Sequence, residues 1–157
     1  MPTVVRTPRP LRRAGAIVLL LSLFAWTLPA ALADEAAPAG ETGTLSIQLN
    51  KLEADGDACR AYIVLENASG IAFEGLRLDL VLFDVDGVIA RRLAVDAAPL
   101  AAGKTSVRVF GIGNVACDDI GRVLLNDILV CQDAAGDRTD CMEHIVPDSI
   151  AGVPFIK

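Results

Sequence analysis

Histidine, tryptophan and tyrosine each occur once in this 157-residue chain, and no two cysteines stand in a C-x-x-C spacing. Each scarcity removes a class of chemistry. With His144 as the single imidazole, a Ser-His-Asp triad would have to be built on it, yet no G-x-S-x-G elbow precedes it and Ser149 lies in a proline-bounded tail. Zinc fares no better: the cysteines are separated by 57, 13 and 9 residues, without the knuckle spacings that hold the metal. Sugar sites stack their ligands on exposed aromatic faces. Trp26 lies in an N-terminal segment expected to be removed, so only Tyr62, Phe73, Phe83, Phe110 and Phe155 remain, and most of these should be core. Long apolar runs are also missing. The longest, Ala14 to Leu28, has 15 residues where a spanning helix needs about 20.

Basic residues are scarce after the N-terminus. All 20 acidic residues follow position 33, whereas Arg6, Arg9, Arg12 and Arg13 precede it, so the remainder has ten basic residues and a formal net charge of −10. Nucleic acid and anionic lipid are poor partners for such a chain. A 53% hydrophobic content and a mean hydropathy of +0.48 exclude intrinsic disorder. No cofactor motif is present, and no metal, catalytic residue or membrane association after processing is expected.

What is present begins with an export signal. Residues 1–33 read as a basic region ending at Arg12-Arg13, an apolar stretch, and a small-residue site with Ala31 and Ala33 at the −3 and −1 positions. Cleavage is expected before Asp34, releasing the chain to the periplasm or the medium. The arginine pair matches the twin-arginine signal in its arginines alone, so general secretion and the twin-arginine route both stay open. After export the even count of Cys59, Cys117, Cys131 and Cys141 favours two disulfides. A short turn between Cys131 and Cys141 favours that pair, leaving Cys59 with Cys117.

Residues 34–43 read as an acidic lead-in without periodicity, and residues 44–157 as one domain. Leu45, Ile47 and Leu49 alternate with Ser46, Gln48 and Asn50, and Ala61, Ile63 and Leu65 alternate with polar neighbours, which predicts two half-buried strands. In Leu76 to Phe83 four leucines (Leu76, Leu78, Leu80, Leu82) share one face opposite Arg77, Asp79, Val81 and Phe83. Asp84-Val85-Asp86-Gly87 turns this strand into a second arm, Val88 to Val95. Thr105 to Phe110 reads as a strand with Val107 and Val109 facing in. Arg122 to Cys131 reads as a strand too, but Ile120, Val123, Leu124 and Ile128 stand at helical spacing behind Asp118 and Asp119, so a helix stays open. The tail, with Pro147 and Pro154, is expected to be mostly irregular.

Asn67-Ala68-Ser69-Gly70, the strand ending in Leu82-Phe83-Asp84, Asp86-Gly87, and Leu100-Ala101-Ala102-Gly103-Lys104-Thr105 together resemble the FxLYD-type and related immunoglobulin-like modules of bacterial exported proteins. The resemblance covers about 50 residues. Val81 and Phe83 depart from it, standing where that pattern favours Phe or Leu and Tyr, and so do the four cysteines. The whole chain is also similar to small uncharacterised bacterial proteins named only for a twin-arginine-like signal sequence. The fold expected is a single immunoglobulin-like antiparallel β-sandwich of six to seven strands stapled by two disulfides.

The function expected is that of an exported, non-enzymatic binding or accessory module for a protein or small-molecule partner. An alternative is a structural or assembly factor acting through a sheet edge or through a face carrying Val81 and Phe83, which point away from the leucines. That face is either exposed or covered by the tail through Val153, Phe155 and Ile156. A hydrolase using the acidic pairs Asp55 with Asp57 or Asp118 with Asp119 ranks last. Asp84 to Gly87 resembles part of a calcium loop, but Leu82 occupies its first ligand position and no Glu stands at its last, so a hairpin turn is the better reading.

Overall fold

The computed structural model describes residues 43–157. The signal segment with Ala31, Ala33 and Asp34, and the lead-in up to residue 42, lie outside the described residues.

Strand β1 (Leu45–Asp55) turns through Gly56-Asp57 into β2 (Ala58–Asn67). Gly56 has φ +61°, a left-handed conformation that glycine adopts without a Cβ penalty. Period-two alternation puts Leu45, Ile47 and Leu49 on one side together with Cys59, Ala61, Ile63 and Leu65, and all seven are buried. Strand β3 (Gly75–Asp84) buries its four leucines in the same core and turns back as β4 (Ile89–Asp96). The Asp84 carboxylate fixes this turn by accepting the backbone N–H groups of Asp86 and Val88. After β5 (Thr105–Ile112) a single 3₁₀ turn, Cys117–Asp119, leads into β6 (Ile120–Asp133). The chain ends with β7 (Gly136–Asp137), the one-turn helix α1 (Cys141–His144), β8 (Ile145–Ser149) and β9 (Phe155–Ile156).

These elements form two sheets. One has the order β5-β2-β1-β8; in the other β4, β3 and β6 are neighbours, with β7 and β9 beside β6 on the side away from β3. The inward faces of both sheets meet in one aliphatic core that includes Leu45, Ile63, Leu78, Leu80 and Leu125. This is a β-sandwich, stapled by Cys59–Cys117 and Cys131–Cys141 as the cysteine spacing suggested.

Four features differ from the sequence reading. Seven strands have five residues or more, but the tail adds structure of its own: β8 pairs with β1 and β9 with β6, both in parallel. The sandwich is therefore mixed rather than purely antiparallel. The reason is the path of the chain, which crosses through α1 to enter β8 beside the start of β1, with Ile145 opposite Leu45, and then crosses back to β6.

Arg122 to Cys131 is strand, and the helical alternative is excluded. Its apparent helical spacing comes from three irregularities against β3, which leave Leu129, Asn126 and Gly121 unpaired. Each inserted residue stretches the inward repeat from two to three, giving Ile120, Val123, Leu125, Ile128 and Cys131 on the core side. Gly121 is required at its irregularity, because a Cβ there would lie 2.4 Å from the carbonyl oxygen of Asp84.

On β5, Val107 and Val109 face outward and are about half exposed, at 53% and 51%. Register explains this. Ile112 lies opposite the buried Cys59 and Phe110 opposite Ala61, so the larger pair takes the core side and the valines fall on the other. The fourth difference concerns Val81.

Candidate functional site

On the outward face of the second sheet, β3 presents Asp79, Val81 and Phe83 in succession. Val81 lies between Arg92 of β4 and Leu124 of β6 and is only 7% exposed, so it is not the open contact its alternation suggested. A central strand with long neighbours on both sides covers its own outward residues. Phe83 is half-buried, with the Arg122 guanidinium 4.4 Å from its ring centroid, a cation–π arrangement. The expected Val81/Phe83 contact is thus reduced to an arginine-capped phenylalanine. Nor does the tail cover this face. Phe155 turns into the core, whereas Ile156, opposite Leu124, stays 40% exposed at its border.

Asp79 is buried on the same face and its oxygens are satisfied. Arg92 grips it at 2.8 and 2.7 Å and Asn126 donates at 2.7 Å. The Arg92 hydrogen bonds hold the Asp79 carboxyl below the usual carboxylate range, against the opposing effect of burial. The ion pair ties β4 across β3 to β6. Alternation placed Asp79 opposite the leucines without revealing this role, because Arg92 and Asn126 reach it only through strand pairing.

The other acidic candidates are spent on local structure. Asp55 binds Arg60 at 2.6 Å, and Asp57 lies in the first hairpin turn. Asp118 and Asp119 lie in the 3₁₀ turn before β6, where neither caps a helix. Asp84 and Asp86 share a surface depression with Asp119 and Asn114, but Asp84 is engaged by the turn. Among the described residues no three His, Cys, Asp or Glu side chains are placed to hold a metal ion.

His144 lies 3.3 Å from the Asp140 carboxylate, which also accepts from Arg138 at 2.6 Å, and Arg138 reaches Asp133 at 2.7 Å. These hydrogen bonds from Arg138 depress the carboxyl pKa of both aspartates. The cluster ties β6 to α1 beside the Cys131–Cys141 bond. Ser149 donates to the carbonyl of Val153, so the structure does not join it to His144.

Asn67 was legible only as a turn residue, and it does more. It is 1% exposed at the end of β2, donates to the carbonyls of Ile71 and Ala101, and accepts from the backbone and hydroxyl of Ser69.

The outer face of the first sheet was missed altogether. There Val107 and Val109 stand opposite Val64 and Tyr62 of β2, with the Lys51 ammonium 5.3 Å from the Tyr62 ring centroid. The opposite phase of the alternation, Ser106, Arg108, Phe110 and Ile112, carried the signal: its two largest apolar residues outweigh a pair of valines.

Compared with protein-family models, curated proteins and solved structures, the chain finds no match in any of the three.

Proposed function

We propose that the chain is an exported, non-enzymatic binding or accessory module that meets a partner through its sheet surfaces in an oxidising compartment. The observation that carries this reading is an apolar patch on the outer face of a disulfide-stapled sandwich, where Val107 and Val109 stand exposed beside Val64 and Tyr62. Both disulfides support an oxidising compartment, and among the described residues no helix is long and apolar enough to cross a membrane. The signal segment supports export, with cleavage between Ala33 and Asp34. We read the sandwich as immunoglobulin-like and akin to the FxLYD-type modules on the turn and strand order from Asn67 to Thr105.

The test is photo-crosslinking in the cell of origin, with a photoreactive amino acid at position 107 or at position 83. A discrete adduct with a periplasmic component at either position supports the module reading. Absence of any adduct at both, together with a full-length mass in place of one beginning at Asp34, would sink it. The assembly-factor reading keeps one specific observation in its favour, the long open edge formed by β5.

A further inference from the structure

The four sheet edges are not equally guarded. On β8 the chain has five residues with Pro147, which has no N–H, in the middle. Strands β7 and β9 have two residues each. Strand β4 has a register shift against β3, to which its own Arg92 reaches across at Asp79. Among the described residues only β5 offers eight residues in unbroken register with its neighbour, without a proline or an irregularity, and no described strand pairs with its outer row.

The charges along that edge have one sign. Lys104 precedes the strand, Arg108 lies at its middle, and the Arg91 guanidinium reaches to within 3.9 Å of where a Cβ on Gly113 would sit, just past its end. Among the described residues none of the three has a carboxylate within 4.0 Å, and Arg108 donates instead to Ser106 Oγ and to the carbonyls of Val107 and Pro99. This cationic border stands out in a domain whose residues 43–157 contain ten basic and 17 acidic side chains.

We propose that β5 is the docking edge for an acidic extended strand of a partner protein, which adds to the first sheet by main-chain pairing. The inference rests on the module reading and names its partner class. Two faces of β5 define the partner's pattern. Apolar or β-branched residues lie beside Val107 and Val109 on the outer face, and carboxylates alternate with them on the side of Arg108. A second copy of this chain fits worse. The two-fold register that sets Val107 against Val109 places Arg108 directly opposite its own copy, and like charges so placed destabilise a pair. The chain's own acidic lead-in, Asp34 to Gly43, contains a proline and no β-branched residue before Thr42, which makes it a poor strand.

The probe is a fluorescein-labelled peptide, Thr-Val-Glu-Val-Glu-Val-Thr, titrated into protein purified with its disulfides formed from the full-length precursor. Anisotropy measures affinity and amide hydrogen exchange locates it. Saturable binding, with new protection confined to β5, is the expected result. Replacing Val107 and Val109 together by Ser, at exposed positions that leave the core untouched, should weaken binding about tenfold or more. Arg91→Gln with Lys104→Gln should weaken it and flatten its salt dependence.

Equal binding of the peptide with Lys in place of Glu would overturn the inference, as would absence of binding at about 1 mM. So would β5 amides already protected without peptide, whether in a concentration-dependent dimer or in a monomer closed by its own lead-in. A partner crosslinked at position 83 while β5 stays unprotected would refute the edge and leave the module reading standing.

Discussion

Replacing Asn67 by Ala tests whether one buried amide holds two loops of the sandwich together. In the native chain its Nδ2 donates at 2.7 Å to the carbonyl of Ile71 and at 3.0 Å to that of Ala101, while Oδ1 takes the Ser69 hydroxyl at 2.6 Å and the Ser69 N–H at 3.2 Å. The backbone of Asn67 adds bonds to Lys104 and Gly103 that the substitution leaves in place. Alanine therefore takes a partner from two carbonyls, a hydroxyl and an N–H at a site where the native side chain is 1% exposed. Each unsatisfied buried group costs about 1–3 kcal/mol, and water entering the vacated space relieves part of this, so the loss should be about 3 kcal/mol. In urea, with a slope of about 1.3 kcal/mol/M for a domain of this size, the midpoint should fall by about 2 M.

Asp at the same position is the control, because it keeps the shape and the acceptor but sets an oxygen against two carbonyls. At pH 7 Asn67→Asp should cost at least as much as Asn67→Ala. Its folded pKa would lie above the unfolded value, so stability relative to the Ala variant should recover as pH falls towards 4. A loss below about 1 kcal/mol for the Ala variant, or an Asp variant as stable as the native chain at pH 7, would refute the reasoning.

Three further predictions concern stability. Removing Cys59 with Cys117 should cost about 4 kcal/mol, and removing Cys131 with Cys141 about 3 kcal/mol, because sequence separations of 58 and 10 close unequal loops in the unfolded chain; equal midpoints in urea would contradict this. The carboxyls of Asp79, Asp133 and Asp140 have folded pKa values below the ordinary one, so their contribution is present above about pH 4 and is lost as pH falls through the folded values. Acid titration by circular dichroism should show this loss, and Asp79→Asn should reduce it; an unchanged acid limb would count against the Asp79–Arg92 pair. Gly121→Ala should destabilise by about 2 kcal/mol, since the added Cβ meets backbone 2.4 Å away, whereas Gly111→Ala, with open space around it, should be far milder.

How far the fold could be read in the sequence depended on whether a strand kept its period. β3 kept it without a break through its leucines, and both the strand and its buried face followed. β6 broke it three times, so its inward residues copied the spacing of a helix, and only pairing with β3 shows that Gly121, Asn126 and Leu129 are the inserted positions. β5 kept its period but offered two apolar phases. The choice between Val107 with Val109 and Phe110 with Ile112 belongs to the register with β2, which no local pattern specifies. Val81 failed for another reason: alternation gives the side of a sheet, not what lies on it, and Arg92 arrives from a neighbouring strand. The candidate edge was legible only in general form, because which strand ends a sheet is a property of topology.

The two disulfides do not staple strand to strand within a sheet. Cys59 of β2 is joined to the 3₁₀ turn that feeds β6, and Cys131 of β6 to the helix that feeds β8, so each bond holds a place where the chain passes between the two sheets. That placement matches the composition. Strand pairing and an aliphatic core hold the sheets themselves, but the crossings are short and contain few apolar side chains, and the second leads to β8 and β9, which contribute only Ile145 and Phe155 to the buried core. Without the Cys131–Cys141 bond the last strands would rest on their pairing with β1 and β6, those two residues, Lys157 and the charge cluster of Arg138. Releasing them would uncover the edge of β1 and the end of the core beneath Phe155. The Cys131–Cys141 bond thus reinforces the sandwich on this side, and a chain built this way reaches its full stability only where thiols are oxidised.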